Sequence, residues 1–296
     1  MISKFTDKPN SYPDHGRPFV KMQGLRNDIV IVDGRLDPFS PTSEEIVLIC
    51  DRREGVGGDE LMIISSPKNG NTEAFIKIFN TDGREVEACG NGTRCIGRFL
   101  LDESEKEEIK VETLGGVLTF RKDNRNQISV NMGQLKTEWK DIPISREMDT
   151  LHLGIANGPL KDPVGMNIGN PHAVFFVEDV DAIDLSEYAL TVQKNDLFPE
   201  ETNVGIAQIL DSNNIKLSYW ERPGNMTPAC GTGACATVGA AFRRGLIKER
   251  RITVNMPAGK VEIELQEDFT VIMTGPAEYC FSGYLPNFIP QEKHHF

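Results

Sequence analysis

The chain makes one unusual loop twice. "ACGNGTRC" at residues 88–95 and "ACGTGAC" at residues 229–235 share the pattern Ala-Cys-Gly-x-Gly, and each carries a second cysteine just downstream. The cysteines that head the loops, Cys89 and Cys230, are 141 residues apart. Other features recur at nearly that offset. Nine residues before each cysteine a polar residue follows an aromatic, in Phe79-Asn80 and Trp220-Glu221, and six before each stands Gly83 or Gly224. Asn27 stands just ahead of "IVIVD" and Asn170 just ahead of "AVFFVED". Behind the loops come the glycine turns "TLGGVL" and "MPAGKV", and then "ISVNMG" and "TVIMTG", whose Met132 and Met273 again differ by 141.

Features in one order at one spacing describe a duplication. The copies are expected at residues 19–133 and 134–276. The tail, 277–290, is too short for a third copy and is expected to pack back on the first. Residues 1–18, polar and proline-punctuated, read as a disordered extension. Each copy is rich in short β-branched and aromatic runs bounded by turn residues, such as "AFIKIF", "IKVET", "IKLSYW" and "VEIEL". A helix is expected from "TSEEIVLICD", where Thr42 and Glu45 form a capping box. Two more follow the repeated loops. After Cys230, "GACATVGAAFRRG" offers small residues that suit a tightly enclosed helix, basic residues at its negative end and Gly245 as a stop. The expectation is an α+β fold of two pseudo-symmetric, β-rich units, each wrapped around a central helix.

Composition bounds the partner. A chain of 296 residues with 39% hydrophobic and 26% charged residues reads as globular. Its formal net charge of −12 argues against binding a phosphate backbone, so no nucleic-acid partner is expected. No apolar run reaches the ~18 residues that cross a bilayer, so no membrane partner is expected either. With no export signal in sight, the cysteines are expected reduced in the cytoplasm, Cys50 and Cys280 as buried small hydrophobes. Cys89/Cys95 and Cys230/Cys235 lack the spacing of a zinc knuckle, so no metal site is expected.

A cysteine at the head of a Gly-x-Gly helix start sits among unpaired backbone N–H groups and partial positive charge. That environment suits a bound carboxylate and should lower the thiol pKa. Two such thiols could serve the inversion of one carbon centre, one removing a proton and the other returning one. The residues point to racemisation or epimerisation without a cofactor. A thiol redox or metal-binding protein stands as the alternative.

The motifs "KMQGLRND", "DRREGVGGDE", "FNTDG", "EACGNGTRC", "GNPH", "TNVG", "WERPG", "ACGTGAC" and "MTGPAE" together resemble the diaminopimelate epimerase family over residues 19–285. The resemblance implies two units that enclose the substrate between them, in a homodimer that interconverts LL- and meso-2,6-diaminopimelate for lysine and peptidoglycan synthesis. It implies no cofactor. Carried over residue by residue, it makes Cys89 and Cys230 the acid/base pair. Gly90-Asn91 and Gly231-Thr232 would hold the reacting carboxylate, and Asn27, Asn80, Asn170, Asn203 and Arg222 would grip other polar groups. Glu221 and His172 match positions that tune the thiols or bind the reacting amine. Taken singly, each of these motifs is also ordinary turn or surface chemistry.

The sequence departs from the family at Arg26, where a glycine is usual, at Gln23, where a histidine is usual, and at Glu60, to which the family's substrate role is not carried. Racemisation of another amino acid, such as histidine, is the sister reading. The presence of the full grip of Asn80, Asn203 and Arg222 favours diaminopimelate.

Overall fold

The computed structural model describes residues 16–86, 90–104, 106–123 and 125–285, the side chain of Asn91 excepted. The chain divides into two compact units, residues 1–121 with 277–296, and residues 122–276.

The first unit holds strands β1 (Arg17–Gly24), β2 (Asn27–Asp33), β3 (Glu60–Ser65), β4 (Ala74–Asn80), β5 (Glu85–Val86), β6 (Glu108–Thr113) and β7 (Gly116–Lys122), with helices α1 (Ser43–Cys50) and α2 (Gly90–Glu103). β2 and β3 are parallel, so the chain needs a crossover between them, and α1 supplies it. Thr42 caps that helix and Glu45 reaches back to the cap amide, which completes the capping box. The runs "IVIV" and "LMII" are buried throughout because both faces of the β2–β3 pair are covered. Val30, Val32, Leu61 and Ile63 pack with Ile46 and Ile49 of α1. On the other side Ile29 and Met62 meet the first turn of α2. A Cβ at Gly97 would lie 2.4 Å from the Phe120 ring, so α2 needs glycine where β7 crosses it.

The second unit holds β8 (Ile128–Gln134), β9 (Ala156–Asn157), β10 (Leu160–Lys161), β11 (Val164–Asn167), β12 (Pro171–Phe176), β13 (Asn203–Ile209), β14 (Asn214–Glu221), β15 (Asn225–Thr227), β16 (Arg251–Met256), β17 (Gly259–Leu265) and β18 (Thr270–Gly275). Its helices are α3 (Leu185–Gln193) and α4 (Gly231–Arg243). The pairing repeats that of the first unit. β12 and β13 are parallel as β2 and β3 are, and β14 runs parallel to β16 as β4 does to β6. From β8 the order runs β18, β17, β16, β14, β13, β12, β11, and a bridge from Lys136 to Asn167 closes the sheet around α4. Every residue of α4 from Gly231 to Ala241 is buried except Thr232. A Cβ at Gly239 would lie 2.4 Å from Leu135 and 2.9 Å from Met166, which is why this helix is built from small residues. Arg244 caps it, and Gly245 follows at φ 69°, the left-handed stop expected of that glycine.

Four expectations need correction. The sequence announced three helices, and α3 is a fourth: it crosses between β12 and β13 as α1 does between β2 and β3. Its signals are the Asp184 cap and the buried face of Leu185, Ala189 and Val192. The boundary set at 133/134 falls at 121/122, because β8 hydrogen-bonds to β18 along its length. The extension set at 1–18 wrongly took in Arg17 and Pro18, which pair with the last strand; residues 1–15 lie outside the described residues. That last strand, β19 (Glu278–Leu285), lies antiparallel to β1, and residues 286–290 of the tail lie outside the described residues. Cys280, expected buried, is exposed on β19. Among the described residues, no helix is long and apolar enough to cross a membrane.

Candidate active site

In the second unit the site is assembled at the N-terminus of α4. Cys230 is the N-cap in extended geometry (φ −125°), and its sulfur accepts the Gly233 amide at 3.3 Å. A thiol thus stands where a hydroxyl or carboxylate usually caps. The amides of Gly231 and Thr232, in the first turn, have no intrahelical acceptor and face outward from the helix end, where an anion is favoured. Glycine at 233 is required because a Cβ there would lie 2.5 Å from the Tyr219 ring.

Burial raises the Cys230 pKa well above the ordinary thiol value, and the Glu221 carboxylate raises it further. The Thr232 hydroxyl and the Gly233 amide oppose this without overcoming it. The lowered pKa expected from the helix end is therefore reversed in this enclosed site. Desolvation of the thiolate outweighs one amide and one hydroxyl, and Cys230 is held as the thiol.

The other residues of this site line one edge of the sheet. β12 and β13 are parallel and β14 runs against them, so the starts of the first two and the end of the third come together. Asn170 immediately precedes β12, Asn203 opens β13, Glu221 closes β14 and Arg222 follows it. His172 pairs in register with Asn203. It is fully buried, its Nδ1 is 2.6 Å from the Tyr219 hydroxyl, and its Nε2 is 2.8 Å from Asn170 Oδ1. Burial, aided by the Arg222 guanidinium, lowers its pKa to about 3, so the ring is neutral. Asn170 Nδ2 reaches the Thr232 hydroxyl at 3.4 Å, and that hydroxyl lies 3.5 Å from the Cys230 sulfur.

Asn203 is buried and ties the backbone together, donating to the Pro171 carbonyl at 3.1 Å and accepting the Arg222 amide at 2.9 Å. The Arg222 guanidinium donates to the carbonyls of Glu200 and Glu201. Glu221 accepts from the Thr227 hydroxyl at 2.7 Å. Sequence reasoning overlooked Tyr219, Thr227 and Gln193. Gln193 comes from α3 to accept from Trp220 Nε1 at 2.6 Å and donate to the Pro223 carbonyl at 3.4 Å, bracketing Arg222. No motif marks these three: the contacts of Tyr219 and Gln193 join segments distant in sequence, and Thr227 reaches Glu221 across the β14–β15 hairpin.

The first unit repeats the arrangement at α2. Asn27 opens β2, Glu60 opens β3 and Asn80 closes β4, with Glu60 paired in register to both Ile29 and Asn80. Gly90 and Asn91 begin α2. Cys89 and the side chain of Asn91 lie outside the described residues. Glu60 is buried, and its carboxylate reaches the first turn of α2, 2.9 Å from where a Cβ on Gly92 would stand. Arg26 is exposed, in a two-residue turn with Leu25 (φ 64° and 55°) whose ends Gly24 and Asn27 pair. Gln23 accepts the Arg26 amide at 2.9 Å. Both departures thus belong to the turn, and the Arg26 side chain points into solvent.

Cys95 and Cys235 are buried within α2 and α4, and burial pushes Cys95 up to about 12. Among the described residues, no three His, Cys, Asp or Glu side chains are grouped to hold a metal ion.

Comparison with known proteins places this architecture. The family described as diaminopimelate epimerase matches residues 19–138 and 164–280. A diaminopimelate epimerase of Phenylobacterium zucineum is 43% identical over 275 residues, covering 92% of this chain and 98% of the relative. One from Rhodospirillum centenum is 40% identical over 281 residues, covering 93% and 96%. Among solved structures, a hydroxyproline epimerase from Agrobacterium vitis superposes with a TM-score of 0.66 at 13% identity, covering 94% of each chain. A Bacillus anthracis protein of the phenazine biosynthesis PhzF family gives 0.63 at 17%, covering 92% and 99%, and at such identities these likenesses speak for the fold alone. The two cysteine-headed helices, the edge residues beside them and matches along nearly the whole length agree: the chain belongs to the diaminopimelate epimerase family.

Proposed function

We propose that the chain interconverts LL- and meso-2,6-diaminopimelate without a cofactor, with Cys89 and Cys230 as a thiol acid/base pair. The observation that carries the reading is Cys230 itself. It is a buried thiol capping a helix whose first amides are free for a carboxylate, with Glu221 close enough to raise its pKa.

The α-hydrogen of an amino acid is very weakly acidic, so the negative charge that develops on its carboxylate needs fixed donors. The Gly231-Thr232 and Gly90-Asn91 amides would supply them. Held as a thiol, Cys230 begins a turnover as the acid. The matching base is then Cys89 as thiolate, which takes the α-proton while the Cys230 proton goes to the opposite face of the carbon. One S–H bond forms as another breaks, and the thiols leave with their roles exchanged. For the reverse direction Cys230 starts as the thiolate, and Glu221 is the carboxylate placed to take its proton. Asn27, Asn80, Asn170, Asn203 and Arg222 would bind the remaining amine and carboxylate groups, Arg222 as a two-pronged carboxylate clamp.

We place the activity in the cytoplasm, in lysine and peptidoglycan precursor synthesis, with a second copy of the chain as the partner. LL-diaminopimelate turned over in D₂O should acquire deuterium at its α-carbon. Cys89→Ala and Cys230→Ala should each lose epimerisation by at least about 10²-fold, the scale of one positioned acid or base. Wild-type rates in both variants would overturn the reading.

A further inference from the structure

Tyr219 lies beneath the site and belongs to none of its expected residues. Its ring packs under the first turn of α4 and over Gly205, its cross-strand partner, so that a Cβ at Gly205 would lie 2.4 Å from it. Its hydroxyl is buried, 2.6 Å from His172 Nδ1, and among the described residues His172 is its hydrogen-bond partner. A buried O–H that donates to nothing costs the whole desolvation of the donor. The phenol therefore donates, and Nδ1 accepts.

The consequence runs through the site in one direction. A neutral imidazole that accepts at Nδ1 carries its hydrogen on Nε2. That N–H donates to Asn170 Oδ1 at 2.8 Å, which turns Asn170 Nδ2 toward the Thr232 hydroxyl at 3.4 Å. With its oxygen accepting from Asn170, Thr232 keeps its own hydrogen for the Cys230 sulfur at 3.5 Å. In the other tautomer the Nε2 lone pair would face Asn170 Oδ1. Relieving that repulsion turns the amide over, and the amide oxygen then draws the Thr232 hydrogen away from the sulfur.

We propose that Tyr219 is a positioning residue, which holds His172 as the Nε2–H tautomer and so keeps the Thr232 hydroxyl donating to Cys230. Thiolate formation at Cys230 is thereby aided by a group two residues before Glu221 on the same strand. Among the groups that bear on the sulfur, Glu221 opposes the thiolate while Thr232 and the Gly233 amide favour it. The tyrosine hydroxyl sets whether Thr232 is available.

The test uses the full chain labelled with ¹⁵N-histidine, with the His172 signals identified by their loss in His172→Gln. In the wild type Nε2 should resonate as a protonated nitrogen and Nδ1 as an unprotonated acceptor from pH 6 to 9. In Tyr219→Phe, which removes the hydroxyl and keeps the ring, both tautomers should be populated. The kcat for epimerisation should fall about tenfold, the worth of one hydrogen bond, with KM within about twofold of the wild type. The pH profile should shift its Cys230 limb to higher pH. A wild-type His172 protonated at Nδ1 overturns the proposal, and so does Tyr219→Phe with unchanged tautomer and pH profile. If Tyr219→Phe does not fold, the wild-type tautomer decides. Only the kinetic arm rests on the functional reading above. A wild type that fails to epimerise diaminopimelate sinks that reading and leaves the tautomer measurement standing.

Discussion

Asn80 closes β4 of the first unit at the register step where Glu221 closes β14 of the second. Leu61 pairs with Phe79 as Val204 pairs with Trp220, and the next residue along each second strand is Asn80 or Glu221. The strand before each shows the reverse exchange, with Glu60 in the first unit and Asn203 in the second. Ile29 pairs with Glu60 where His172 pairs with Asn203. Carboxylate and carboxamide have thus changed places between two copies of one fold, and only one copy carries an imidazole. The two strand-end clusters are thus inequivalent in charge and in hydrogen-bonding groups.

Glu221→Gln should separate the charge of this residue from its shape. With the carboxylate gone, the Cys230 pKa falls, because a neighbouring negative charge no longer disfavours the thiolate. Alkylation of Cys230 by iodoacetamide should therefore begin at lower pH than in the wild type. Epimerisation should nonetheless fall about 10²-fold through loss of the proton acceptor. An unchanged alkylation profile would show that the carboxylate does not act on this thiol.

Gln193→Leu should loosen Arg222. The substitution strips the Trp220 N–H, the Pro223 carbonyl and the Glu201 carboxylate of their partner in a part-buried setting. The cost should be about 2 kcal/mol in urea unfolding, within the range for orphaned buried groups. KM for diaminopimelate should rise about tenfold, with a smaller change in kcat, as the clamp loses its bracket. A KM equal to that of the wild type would separate Gln193 from substrate binding.

Stability should be greatest between about pH 6.5 and 8.5. Folding lowers the His172 pKa to about 3, so between that value and about 6.5 the unfolded chain binds a proton that the fold excludes. Stability is then complete above about pH 6.5 and is lost as pH falls, at up to about 1.4 kcal/mol per pH unit. Cys230 and Cys95 are shifted upward by burial, so the folded chain keeps protons that unfolded thiols release above about pH 8.5. Stability is lost again as pH rises past that point. Urea unfolding across this range measures both limbs, and His172→Gln should flatten the acid limb.

Arg26→Gly should leave kcat and KM within about twofold, since the Arg26 side chain is exposed. It should raise the unfolding free energy by up to about 1 kcal/mol, because a side chain at φ 64° is relieved. A large loss of activity would instead place the guanidinium in substrate binding.

The duplication was legible in the sequence because the repeated loops, turns and aromatic-polar pairs sit in one order at one spacing. The capping box at Thr42 and the glycine stop at 245 were legible for the same local reason: caps are decided by a few adjacent residues. The helix α3 was missed, although the offset that relates α1 to it was already in hand. Its short apolar face carries little signal until the crossover between parallel strands demands a helix there. The unit boundary was misplaced because strand pairing is nonlocal. "ISVNMG" declares a strand but does not declare that β18 will be its partner.

The sequence by itself marked the residues that the proposed chemistry uses: thiols at Cys89 and Cys230, glycines where helix starts meet strands, and polar residues at strand ends. It did so because residue type and spacing suffice for a loop and a helix cap. The tertiary structure alone decided the protonation states. Enclosure of the α4 terminus turned an expected thiolate into a thiol at Cys230, and burial made His172 neutral. It also brought Tyr219 against that histidine. Desolvation and hydrogen-bond direction depend on what surrounds a group from every side, and those surroundings come from strands and helices far apart in the chain.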